Sequence, residues 1–236
     1  DTLVNAEIHA FYTASGRKYD EVIFRSVKLL NRNAIVWDDD RKLGSFITPR
    51  DDPVKDFARL VIREIAQHRG IPEHYNLYKA IAVFTALGAT GLKYQVDPTT
   101  PFIQYHGRSD VVDYVQYPRT TLRYGSGDCD DLVCTYNSLM EHLGIPTGFV
   151  TGPGHIFVLI DTGRLASDAK KIAVDSDLLV ENDGRLWIPV ETTLVGENFL
   201  TAWEQGAHRF QEWAAEGGGK IYTTRSSHKE YAPVRR

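Results

Sequence analysis

Apolar residues recur along this chain with two periods, and the change from one to the other lays out its architecture. Val54, Phe57, Ala58, Val61, Ile62 and Ile65 follow a 3.6-residue spacing and predict an amphipathic helix. Asp51 or Asp52 caps it, Pro53 suits its first turn and Gly70 ends it. Leu77, Ala80, Ile81, Phe84 and Leu87 predict a second helix, and Leu92-Lys93-Tyr94 a short extended piece. Leu132, Tyr136, Leu139 and Leu143 fall at i, i+4, i+7 and i+11, and Gly144-Ile145-Pro146 closes that third helix. The period then becomes two. Thr147 to Thr151 reads as a strand, Pro153-Gly154 as a turn, and Ile156, Val158 and Ile160 alternate along a second strand. Ile172 to Val174 and Leu186 to Val190 read as further strands, with a turn at Asn182-Asp183-Gly184. Phe199, Trp203, Phe210 and Trp213 mark a last helix that stops before Gly217-Gly218-Gly219; from Lys220 the polar sequence fits a strand or a tail.

Two segments stand apart. Residues 1–45 read as β structure, with Glu21 to Leu30 and Ala34 to Trp37 joined at Asn31-Arg32-Asn33 as an N-terminal β-hairpin. Residues 97–125, punctuated by Pro98, Pro101 and Pro118, have little periodicity and read as a long loop, either a cleft wall or an insertion without a role. Helices first and an antiparallel sheet afterwards argue an α+β class. The expected division is 1–45, a β segment left from a preceding domain, and 46–236, the main domain.

Composition narrows the class without naming an activity. With 42% apolar and 25% charged residues the chain is an ordinary globular one, and a net charge of −4 gives no reason to expect nucleic acid or an anionic membrane as partner. No apolar run reaches a membrane span and no secretory h-region is present. A chain opening on Asp1 is expected to be a processed or trimmed piece, with further domains in the full-length protein. Periplasmic, secreted and cytoplasmic locations all stay open.

The chemistry concentrates around one cysteine. Cys129 and Cys134 lie on one predicted helix, about 8–9 Å apart and beyond disulfide reach. No second pair completes a structural zinc site, so both thiols are expected free. Cys134 falls among apolar residues and is assigned to the core. Cys129, in Gly127-Asp128-Cys129-Asp130-Asp131, is placed in the first helical turn, where unpaired N–H groups and the helix dipole favour a thiolate. Asp128 is a good N-cap. The flanking carboxylates work the other way, so a cation must sit nearer the sulfur. His155, which opens a strand after the Pro-Gly turn, is the candidate among eight histidines. Of His9, His68, His74, His106, His142, His208 and His228, most sit beside polar or helix-surface residues. Glu191, ending the Leu186 to Val190 strand, can accept the other ring N–H; Asp161, Asp175 and Asp177 are the alternatives. A zinc site from Cys129, His155 and an aspartate is allowed by ligand chemistry but supported by no motif. Gly125-Ser126-Gly127 lacks the third glycine of a dinucleotide fingerprint, and the aspartate cluster is too short for an EF-hand.

Taken in order, Gly127-Asp128-Cys129-Asp130-Asp131, Ser138-Leu139-Met140, Leu143-Gly144-Ile145-Pro146-Thr147, Pro153-Gly154-His155-Ile156-Phe157 and Trp187-Ile188-Pro189-Val190-Glu191-Thr192-Thr193 resemble the core of the transglutaminase-like superfamily. The likeness spans residues 76–205 and leaves 1–70 uncovered. It implies a papain-like α+β fold, in which a Cys-bearing helix packs on an antiparallel sheet carrying His and the acid. It implies a cysteine-dependent amide acyl-transfer enzyme working through a thioester, as peptidase, amidase, deamidase or transglutaminase on a protein or peptide substrate. Cys129 would be nucleophile, His155 general base and acid, and Glu191 the orienting carboxylate, where true transglutaminases usually carry Asp. The Cys129 backbone N–H would be one oxyanion donor; Tyr124, Arg123 or the 97–118 loop would supply the second. No cofactor and no metal are implied. The alternative is an inactive peptide-binding or scaffolding module of the same fold.

Overall fold

The computed structural model describes residues 2–67, 75–96, 111–173 and 175–234. The chain divides into two compact units, Asp1–Ala34 and Ile35–Arg236.

The first unit is a β-hairpin of β1 (Thr2–Ala14) and β2 (Arg17–Leu29). Its thirteen paired positions run from Thr2↔Leu29 to Ala14↔Arg17. Ser15 and Gly16 both adopt positive φ (50° and 75°), the two-residue turn whose twist matches that of the strands. The sequence placed the hairpin one strand too late. Glu21 to Leu30 does pair, but with the preceding segment and not with Ala34 to Trp37. The Asn31 turn exists, closed by Ala34 N–H donating to Asn31 O at 3.0 Å, but it leads out of the hairpin.

Residues 35–45 belong to the second unit by packing, so the break falls before the expected position 45. Trp37 and Leu43 are buried in its core. Within the polar run Asp38-Asp39-Asp40, Asp40 is buried and accepts from Thr151 Oγ1 at 2.6 Å. The Trp37 indole N–H likewise donates to Asp113 at 2.7 Å.

The second unit packs helices on a five-stranded antiparallel sheet. Helix α1 (Asp52–Ala66) carries Pro at its start, but Asp51 does not cap it. The Asp51 carboxylate is buried and taken by Arg119, whose Nε donates at 2.7 Å. Then come α2 (Tyr75–Ala89), α3 (Pro118–Tyr124) and α4 (Cys129–His142). Gly70 and residues 97–110 of the long loop lie outside the described residues. After α4 the chain enters β3 (Thr147–Gly152), turns through Gly154 and returns as β4 (His155–Leu165). Where a strand was expected from Ile172, Ala169–Ile172 is a short helical turn; Val174 lies outside the described residues. β5 (Val180–Asn182) and β6 (Arg185–Val190) meet at the expected turn, with Asp183 and Gly184 at positive φ. Helix α5 (Phe199–Glu216) ends on Gly217, also at positive φ. Lys220 onward resolves into strand β7 (Lys220–Thr223) and helix α6 (Thr224–Glu230). Strand order is β7-β3-β4-β6-β5.

Helix α4 is the centre of this unit. It packs against α1, α2 and α3 as well as β3 and β4, and all its residues from Cys129 to Met140 are buried. Among the described residues no helix is long and apolar enough to cross a membrane.

Candidate active site

The N-terminus of α4 is held by local chemistry. Asp131 N–H donates to Asp128 Oδ1 at 3.4 Å and Asp128 N–H to Asp131 Oδ2 at 3.3 Å, a reciprocal cap. Gln116 adds its backbone N–H and side-chain amide to Asp131, each at 2.6 Å. Gly127 is required here because a Cβ would lie 2.6 Å from Asp131 Cβ. Burial and the charge of Asp128 raise the Asp131 carboxyl to about 7, although the Gln116 donors pull it down. Burial also drives Asp130 well up, helped by Asp128 and Asp131.

Cys129 opens this helix at 5% exposure, and both cysteines are free. Its thiol is pushed well above the ordinary range, first by burial, then by the charges of Asp130, Asp128 and Glu191; a backbone hydrogen bond at Asp130 only partly offsets them. This corrects the expectation that the helix start makes a thiolate. The dipole carries about half a charge and is outweighed by desolvation and three carboxylates. Cys129 therefore rests as a neutral thiol. Alkylation by iodoacetamide should be slow at neutral pH and still rising above pH about 9, because only the thiolate reacts. A plateau reached below pH about 8 would overturn this.

His155 and Glu191 meet at the ends of neighbouring strands. His155 Nε2 lies 2.6 Å from Glu191 Oε2, with side-chain exposures of 14% and 2%. Thr193 donates to Glu191 Oε1 through its backbone N–H (3.2 Å) and its hydroxyl (2.7 Å). The Glu191 backbone N–H reaches Ala202 O at 2.9 Å. Burial raises the Glu191 carboxyl, but the hydrogen bond and charge of His155 and the Thr193 donors outweigh it and hold the group below its usual value. With Nε2 engaged by Glu191, the ring offers Nδ1 for proton exchange with another group.

The other candidates are placed elsewhere. Asp161 is held by Arg185 at 2.8 and 3.1 Å, and Asp175 caps a turn of helix through Asp177 N–H. His142 contacts Pro49 O and His228 the carbonyls of Gly44 and Ile47. His9 and His208 pair with Glu7 and Glu212. His68, His74 and His106 lie outside the described residues. Tyr124 is 67% exposed with the Arg123 guanidinium over its ring, and neither residue makes a hydrogen bond or ion pair with Cys129. Asp128, Asp130 and Asp131 are close enough together to share an ion, a group that includes neither Cys129 nor His155.

Two residues that the sequence did not mark as functional lie beside the site. Tyr94 sits on an extended pair, Lys93–Tyr94 against Ser126–Gly127, that runs parallel into the α4 start. It is 42% exposed, and partial burial, with the acids around the α4 start, raises its phenol. Arg209 brings Nε to 3.3 Å from Glu191 Oε2. Tyr94 gave no periodic signal. Arg209 carries no local signal either, because its contact with Glu191 depends on α5 packing back on β6.

No protein-family model matches the chain, and no curated protein matches it. One solved structure, described as a candidate protease from Parabacteroides distasonis, aligns with 68% of this chain at 12% identity and a TM-score of 0.34. The aligned region spans 36% of that structure's length, and a likeness of this size carries no argument about fold or activity.

Proposed function

We propose that this chain is a cysteine-dependent amide acyl-transfer enzyme with a papain-like, transglutaminase-like core. The observation that carries the reading is the His155–Glu191 pair at 2.6 Å, with Glu191 buried and His155 half-buried, where His155 opens the strand that packs on the Cys129 helix. The Cys129 thiol is neutral at rest, so the reaction begins with general-base catalysis. As Sγ attacks an amide carbonyl, its proton passes to His155 Nδ1, and Glu191 holds the resulting imidazolium in orientation. The carbonyl oxygen takes up the negative charge. The Cys129 backbone N–H, uncommitted in the first turn, is one donor for it. The neutral Tyr94 hydroxyl is proposed as the second in place of Tyr124 or Arg123. His155 then gives its proton to the leaving amine and a thioester remains on Cys129. Water releases an acid and an amine releases a new amide. The substrate class is a protein or peptide amide.

The test is direct capture of the thioester. The chain is incubated with peptide amides, quenched in acid and weighed by intact mass spectrometry. An acyl adduct removed by hydroxylamine, and absent from Cys129→Ala, is expected. Turnover without any adduct, or the same adduct in Cys129→Ala, would remove the reading.

A further inference from the structure

Helix α5 touches the candidate site along a single stripe. Ala202 accepts from the Glu191 backbone N–H. Gly206 lies so close to Pro189 and Val190 that a Cβ there would sit 2.7–3.0 Å from their backbone atoms. Arg209 reaches Glu191. The Trp213 ring stands edge-on to His155, with centroids 6.4 Å apart and planes at 66°. Its indole also covers Gly152, where a Cβ would lie 2.5 Å from ring atoms, and Gly152 is the register partner of His155. Positions 202, 206, 209 and 213 are separated by 4, 3 and 4 residues, the spacing of one helix face. One rigid element therefore seats both members of the pair.

From this geometry we infer that Arg209 is a positioning residue: its guanidinium shares Glu191 Oε2 with His155 and sets how strongly the carboxylate holds the imidazolium. The inference rests on the proposed function for its kinetic consequence, but the electrostatic part stands without it. Glu191 is 1% exposed, and one of its oxygens faces both the His155 ring and the Arg209 guanidinium. Without Arg209 the whole carboxylate charge would act on His155 alone. The carboxylate would then stabilise the imidazolium more strongly, leaving less of the ring as the free base that a neutral thiol needs. Arg209 is always charged, so it offsets Glu191 at every working pH. The Arg209 Nε makes no hydrogen bond, so the effect is charge at short range rather than a shared proton.

Among the described residues, other ionisable groups stand near the site. Cys129 is neutral at rest, with Asp128, Asp130 and Tyr94 grouped about it. Glu212, on the same helix as Arg209, pairs with exposed His208 at 3.6 Å.

The test compares wild type, Arg209→Gln and Arg209→Lys on the whole chain. The first readout is the His155 ring titration by NMR, which needs no substrate. Arg209→Gln should move its midpoint upward, by an amount limited because a partly exposed guanidinium is screened. Arg209→Lys should bring it back toward wild type. The acid limb of the pH–rate profile should move with it. An unmoved midpoint, or a shift that Lys does not reverse, overturns the inference even if Cys129-dependent activity is present. Activity that survives Cys129→Ala removes the proposed function instead and leaves the titration result standing.

Discussion

Cys129→Ala should lower acyl transfer by about 10⁴–10⁶-fold while the domain stays folded. The thiol is neutral, so its removal breaks no ion pair, and the lost sulfur leaves a cavity smaller than a leucine truncation would. The expected cost is about 1 kcal/mol, or about 2–4 °C in a domain of this size. His155→Ala should cost a similar factor, because a neutral thiol beside a missing base has nowhere to send its proton. The double mutant should be no worse than either single one, since the two residues act as one unit. Hydroxamate formation from peptide amides and a thermal melt on the same samples read both quantities. Additive losses in the double mutant would mean that Cys129 and His155 do not serve one step. A collapsed melt in Cys129→Ala would mean that the residue is structural.

The second large effect is on stability. Gly206→Ala places a methyl group 2.7 Å from Pro189 O and 3.0 Å from Val190 N. These are backbone atoms of the strand before Glu191, so no side chain can swing aside to make room. Overpacking of this kind costs about 1–3 kcal/mol and sometimes more. Alanine recovers up to about 1 kcal/mol through helix propensity. With the obstacle being backbone the upper end is expected, a net loss of about 2 kcal/mol and a melting point lower by roughly 4–8 °C. Activity should fall further than stability, because the easiest relief moves α5 and with it Ala202, Arg209 and Trp213. A variant as stable and active as wild type would show that the helix can shift without disturbing Glu191, and would weaken the positioning role of Arg209 as well.

Much of the main unit was legible because its signals are local. Asp128 caps α4, Leu132 to Leu143 carry its period, and Gly144 stops it. The turns at Gly154 and at Asp183-Gly184 need positive φ, which those residues tolerate. His155 and Glu191 could each be placed on a strand from its neighbours. Their meeting at 2.6 Å could not, because it depends on the β4–β6 register. The N-terminal hairpin was misplaced for the same reason. Alternation identifies a strand but is silent on its partner, and the Ser15-Gly16 turn outcompeted the more polar Asn31 turn.

The sequence by itself determined which residues form the Cys helix, the strands that carry His155 and Glu191, and the chemical types at their ends, because capping, period and turn residues act over a few positions. Tertiary structure alone decided the charge state of Cys129 and the company of Glu191. Burial at 5% exposure and carboxylates converging from α4 and β6 turn an expected thiolate into a neutral thiol. Arg209 reaches Glu191 only when α5 folds back along β6. Both outcomes are sums over groups distant in sequence, and electrostatics in a buried site depends on those distances rather than on order along the chain.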